Sequence, residues 1–140
     1  MQPGTSASAG GCQCGEVRFA VTEAPRIIYV CHCRKCRKQS ASAFGISVIF
    51  PREALRLTQG TPSRWSCAGD SGRVFDSAFC PTCGTRLWHA GEGSTTISIK
   101  GGALDEPPGL QDAVHIWVSR KLPGVIIPDR ARRFAEEPDE

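Results

Sequence analysis

The sequence predicts one mainly β domain, and three observations carry that reading. Short apolar or alternating runs recur along the chain between turn-forming segments, no long amphipathic helical pattern competes with them, and seven of the eight cysteines fall in three tight groups. A chain of 140 residues with 40% hydrophobic residues has the size of one domain and limited apolar surface to bury. Its 15 glycines and 10 prolines imply many turns, so cross-links at the cysteines add what the core cannot.

The runs expected as strands are 17–21, 27–30, 44–50, 54–58, 74–79, 85–88, 95–99 and 114–118. AGDSG (68–72), CPTCG (80–84), AGEG (90–93) and DEPPG (105–109) supply turns between them. One or two helical turns are expected after Cys36, through KQSASA. The Gly, Ser, Ala and Thr-rich residues 1–10 read as a disordered leader and residues 135–140 as an acidic, solvated tail. Residues 11–134 between them form the single domain.

The N-terminal MQPGTSASAGG has neither a basic nor an apolar signal-peptide region, and no run is long enough to span a membrane. The cysteines are therefore expected to be metal ligands in a reducing, cytoplasmic setting rather than disulfides. The formal charge of +3 counts every cysteine as a neutral thiol, and seven metal-bound thiolates on two dications reduce it to zero. The composition then gives no support to nucleic-acid binding, for which only 34–38 and 130–133 remain as basic runs.

Cys12 and Cys14 in GCQCG, with Cys80 and Cys83 in CPTCG, supply four soft ligands for a closed tetrahedral zinc site. Such a site staples the start of the domain to residues near 80. Cys31, Cys33 and Cys36 in CHCRKC supply three ligands, and three protein ligands with a fourth position open is the pattern of catalytic zinc. Two zinc ions per chain follow. Spacing leaves alternatives open: Cys67 or His89 completing the second site, or Cys33 and Cys36 pairing with Cys80 and Cys83 while Cys31 joins Cys12 and Cys14. Cys67 by itself reads as a small apolar residue. His32 alternates with Cys31 and Cys33, so its ring is expected on the other side of an extended segment. Arg34, Lys35, Arg37 and Lys38 would stabilise thiolates or draw in an anionic thiol. Lys35, Gln39, Ser40 and Trp88 stand close enough to the cysteine motifs to be candidate substrate contacts.

The ordered set GCQCG, CHCRKCRKQS with Phe44 following, FCPTCGTRL, GGALDEP and HIWVSRKLP resembles the glutathione-dependent formaldehyde-activating enzyme family, which includes centromere protein V. The resemblance covers residues 11 to about 134 and implies a zinc-binding β-tent fold. It implies a structural zinc on Cys12, Cys14, Cys80 and Cys83 and a catalytic zinc on Cys31, Cys33 and Cys36. The implied activity is that of a carbon–sulfur lyase, which reversibly joins a small-molecule thiol, glutathione or a relative, to an aldehyde such as formaldehyde. Ala41 departs from the family pattern where a Gly commonly follows the Ser, as do Gly124 after Pro123 and the DRARRF ending (129–134). Two rivals stand beside this reading: a non-catalytic zinc module that binds a protein or nucleic acid, and a redox enzyme using Cys33 and Cys36. Oligomeric state has no signature in the sequence.

Overall fold

The computed structural model describes residues 8–69, 72–106 and 108–138. Ten strands and one short helix follow one another as β1 (Ser8–Gly11), β2 (Arg18–Val21), β3 (Ile27–Cys31), α1 (Arg34–Ser40), β4 (Gly45–Pro51), β5 (Leu55–Gln59), β6 (Ser63–Ala68), β7 (Val74–Phe79), β8 (Arg86–Gly91), β9 (Thr96–Lys100) and β10 (Val114–Ile116). They form a three-stranded sheet, β1-β2-β5, and a seven-stranded sheet, β10-β3-β4-β9-β8-β7-β6. Short antiparallel strands make this the mainly β domain that the sequence predicts, with β10 alone running parallel to its neighbour β3.

Each expected run coincides with a strand, and two further strands had no such signal. β6 (SRWSCA) is mostly exposed at the sheet edge and lacks apolar alternation. β1 (SAGG) corrects the expected leader, because residues 8–10 pair with β2 in register from Ser8↔Val21 to Gly11↔Arg18. Gly10 permits that docking: a Cβ there would come within 2.3 Å of the Ala103 carbonyl oxygen. Residues 1–7 of the expected leader lie outside the described residues. At the other end, residues expected as part of a solvated tail are tied back, since Trp117 N–H donates to Glu136 O at 3.0 Å and Ser119 N–H to Ala135 O at 3.1 Å.

The core fills the space between the small sheet and one face of the large one. Phe19 and Val21 from the first, with Val17 just before β2, meet Val48, Phe50, Trp88, Ile97 and Ile99 from the second, all buried. Phe19 meets Trp88 edge-on, ring centroids 5.6 Å apart. Because side chains alternate along a strand, burial of Val48, Trp88 and Ile99 turns Ser47, His89, Ser98 and Lys100 to the opposite face. That second face carries the end of β3, and Cys31 with it.

The helix α1 begins earlier than expected, at Arg34, because Cys33 serves as its N-cap and its sulfur accepts from Cys36 N–H at 3.3 Å. It ends in a Schellman arrangement: Ala41 N–H donates to Lys38 O, and Ser42 N–H to Arg37 O, each at 3.2 Å. Ala41 takes the left-handed conformation there, at φ 52° and ψ 43°. An L side chain is strained in that region by roughly 1–2 kcal/mol, which glycine avoids. Ala41→Gly is therefore expected to raise stability by about 1 kcal/mol, after its larger unfolded-state entropy is set against the relieved strain. A urea titration measures the shift.

Candidate metal centres

The four-thiol group is assembled from two turns. Cys12 and Cys14 sit between β1 and β2, where Gly15 at φ 86° closes the turn and its N–H donates to Cys12 O at 3.1 Å. Cys80 and Cys83 sit between β7 and β8, with Gly84 at φ 82° donating to Cys80 O at 2.9 Å. Both turns aim backbone N–H groups at sulfur. Val17 N–H reaches Cys12 Sγ at 3.2 Å, while Thr82 and Cys83 N–H reach Cys80 Sγ at 3.3 and 3.4 Å. Donors around sulfur favour the thiolate. Hydrogen bonds from the Thr85 hydroxyl and backbone push the Cys83 thiol down to about 5.

All four sulfurs lie within 4.8 Å of one another. A tetrahedral ion with bonds of about 2.3 Å to sulfur requires sulfur–sulfur edges of ~3.8 Å. Cys12 and Cys14 sulfurs are 3.6 Å apart and those of Cys14 and Cys80 3.8 Å, so the group fits a zinc-sized ion without rearrangement. A metal held there would join two turns separated by 66 positions in the chain.

The second group spans the junction of β3 and α1. Cys31 ends the strand, Cys33 caps the helix, and Cys36 lies in its first turn, with the three sulfurs also within 4.8 Å of one another. Gly45, opposite Cys31 in β4, lets the strand pass under the helix, since a Cβ there would stand 3.1 Å from the Cys36 Cβ. Hydrogen bonds from the Cys31 and Cys36 thiols push the Cys33 thiol down to about 2, and the same contact with Cys33 pushes Cys31 up.

The described residues fall into the two groups expected from the sequence. The outer pairs converge on each other, and neither Cys67 nor His89 joins the trio. Cys67 lies in β6 opposite Phe75. His32 is fully buried on the far side of its strand, with its Nε2 3.0 Å from His115 Nδ1 in a stacked pair, and burial pushes it down to about 4. Of the candidate substrate contacts, Trp88 is corrected: it is buried in the core beside Phe19, on the face away from the trio. Ser40 caps the helix end through bonds to the carbonyls of Cys36 and Phe44.

Gln39 does face the trio's surroundings, because its Oε1 accepts from Lys100 Nζ, which also lies 3.0 Å from His89 Nδ1. An ammonium only donates, so Nδ1 of His89 is the acceptor and the ring is neutral. Burial, then the Lys100 and Arg86 cations, push His89 down to about 3. Lys100 was not singled out from the sequence, although alternation in TISIK places it opposite Ile97 and Ile99. A cavity of about 250 Å³, bounded in part by Arg52, Arg64, Asp76 and Trp88, includes no residue of the trio in its lining.

A mainly β domain with one complete set of four thiols and a second set of three defines a class of cysteine-rich proteins with donor groups that could hold metal ions. Within it, the chain belongs to the glutathione-dependent formaldehyde-activating enzyme family, whose model matches residues 7–120. A Penicillium rubens protein named "putative glutathione-dependent formaldehyde-activating enzyme" is 33% identical over 93 residues. That match covers 63% of this chain and 48% of the relative, so the chain spans about half the length of this curated relative. The crystal structure of a Rhodobacter sphaeroides protein is similar in fold, with a TM-score of 0.60 at 19% identity over 76% of this chain and 98% of the other. No helix among the described residues is long and apolar enough to cross a membrane.

Proposed function

We propose that this chain is a cytoplasmic zinc-dependent carbon–sulfur lyase that forms and cleaves S-(hydroxymethyl)glutathione. One observation carries the reading: Cys31, Cys33 and Cys36 converge as a half-open trio with no fourth protein ligand among the described residues, while Cys12, Cys14, Cys80 and Cys83 make a complete set. In the forward direction the glutathione sulfur bonds to the formaldehyde carbon, and the thiol proton ends on the former carbonyl oxygen. No electrons are exchanged, so the chemistry needs no redox partner.

Cys12, Cys14, Cys80 and Cys83 would hold one zinc ion and the trio the other. Held by Cys31, Cys33 and Cys36, such an ion would supply positive charge that favours thiolate over thiol and polarises a carbonyl. The chain's own residues supply the setting. Lys100, fixed between Gln39 and His89, places an ammonium on the trio's face, where it offsets thiolate charge and donates to developing negative charge on oxygen. Arg34, Lys35 and Lys38 on the exposed side of α1 add to the positive field met by an approaching anionic thiol.

The test is the rate of exchange between formaldehyde hydrate and S-(hydroxymethyl)glutathione, measured by NMR with and without the zinc-loaded protein. Line broadening that grows with protein, vanishes after zinc removal and returns on zinc addition is the expected result. Exchange at the uncatalysed rate in a protein carrying two zinc ions would remove the lyase assignment. Salt-sensitive retention on DNA would then favour the non-catalytic module.

A further inference from the structure

The face of the large sheet that carries the trio contains a second set of unusual features, centred on Arg86. Burial leaves Nε and Nη2 of Arg86 with no hydrogen-bond partner, and the buried Ser98 hydroxyl is likewise unpaired. A buried donor without an acceptor loses the full cost of its desolvation, which is largest for a charged group. The two nitrogens are a particular pair, because Nε–H and Nη2–H lie on one edge of the planar guanidinium and point the same way. That edge is the fork that accepts both oxygens of a carboxylate.

The surroundings of that fork suit an organic anion. Phe79, opposite Arg86, lies on the face of β7 that points away from the core, and Ser98 is opposite His89 in the adjoining strands. Trp65 of the edge strand β6 stacks on the guanidinium at 5.8 Å and is 52% exposed. An exposed tryptophan held at a sheet edge can swing aside at little cost, which uncovers the fork and leaves an indole wall beside it. Lys100 stands on β9, between the strand of Arg86 and the strand beside β3, and both Lys100 and His89 interact electrostatically with Arg86. The sheet order places β8 three strand spacings from β3, ~14 Å between backbones, and the side chains of Arg86 and Lys100 shorten that gap.

We propose that Arg86 forms a bidentate carboxylate subsite for the thiol substrate, with Trp65 as its movable cover and Lys100 between it and the cysteine trio. The proposal rests on the thiol–aldehyde reading above and adds to it the residue that selects the thiol: Arg86 favours thiols that carry a carboxylate several bonds from sulfur, as glutathione does, over short neutral thiols. A carboxylate on the fork fixes one end of the substrate and presents its sulfur to the trio, so the subsite acts by positioning.

The experiment measures binding of S-methylglutathione, which keeps the carboxylates and has no thiol, to the zinc-loaded full chain by NMR titration and tryptophan fluorescence. The diethyl ester of S-methylglutathione, which keeps the α-ammonium and lacks both carboxylates, serves as the carboxylate-free comparison. The proposal expects Arg86→Gln to weaken S-methylglutathione binding at least tenfold, Arg86→Lys to restore part of it, and the ester to bind at least tenfold less well to the wild type. The ester's affinity should not fall further in Arg86→Gln. Equal binding of acid and ester by the wild type, full affinity in a folded Arg86→Gln, or no measurable binding of S-methylglutathione overturns the subsite. Should Arg86→Gln fail to fold, the wild-type comparison of acid and ester decides alone. Because S-methylglutathione cannot react with formaldehyde through sulfur, Arg86-dependent binding without exchange activity would sink the lyase assignment and leave the subsite standing.

Discussion

Cys80→Ser is expected to leave the domain unfolded at room temperature. Cys80 is fully buried within the core cluster, its sulfur accepts two backbone N–H groups, and it belongs to a four-thiol set linking the β1–β2 and β7–β8 turns. A structural zinc bound by four cysteines contributes on the order of 10 kcal/mol of folding free energy. The net stability of a whole domain is only about 5–15 kcal/mol, so losing that contribution removes most or all of it. Serine is a much weaker ligand for zinc. Circular dichroism should show the loss of the cooperative melt, with zinc content falling in parallel. A variant that melts within a few degrees of the wild type would show that this group does not hold the fold together.

Cys33→Ser should behave in the opposite way: the fold persists and the activity goes. Cys33 is half-buried and caps α1, and serine is itself a preferred N-cap, so the helix keeps its N-terminal hydrogen bond. The melting temperature should then move by no more than about 4 °C. The trio, however, loses one of its three sulfurs and with it the capacity to hold a metal. Only about 3% of a free thiol with a pKa near 8.5 is ionised at pH 7, so loss of thiolate stabilisation alone slows the reaction roughly thirtyfold, before any loss of orientation. Exchange spectroscopy on the folded variant checks the rate, and a thermal melt on the same sample checks the fold. A folded Cys33→Ser protein that catalyses exchange at the wild-type rate would place the chemistry elsewhere.

The parts of this molecule legible in the sequence are those where side chains specify position. β4 and β9 are largely buried, and their apolar residues, clustered in GISVIFP and alternating with polar ones in TISIK, marked both. The edge strands β1 and β6 are held by backbone pairing to β2 and β7, and SAGG and SRWSCA carry no apolar pattern to reveal it. The cysteine groups were legible because short spacings put sulfurs on one turn, and the strand order then had to bring Cys12 to Cys80. The cap at Cys33 was hidden because a cysteine is not among the usual N-cap residues, which is why α1 was expected to start later. Arg86 and Lys100 were missed for another reason. Their meaning depends on which face of the sheet they share with Cys31, and that requires the register across four strands.

Ala41 shows a departure from the family pattern acquiring a physical meaning. The sequence marked it only as an unexpected residue after Ser40, whereas its φ of 52° identifies the left-handed cap that glycine serves without strain. Trp88 shows the reverse case, where nearness in sequence to CPTCG suggested the substrate side and strand alternation put the indole into the core.

The division of labour between the two cysteine groups is the claim on which the rest depends, and counting zinc tests it most directly. Zinc per folded chain, determined by elemental analysis of purified wild type and Cys33→Ser, should be about two for the first and about one for the second, at nearly equal melting temperatures. One zinc in an active wild type, or two retained by Cys33→Ser, would contradict the assignment of a separate metal to the trio.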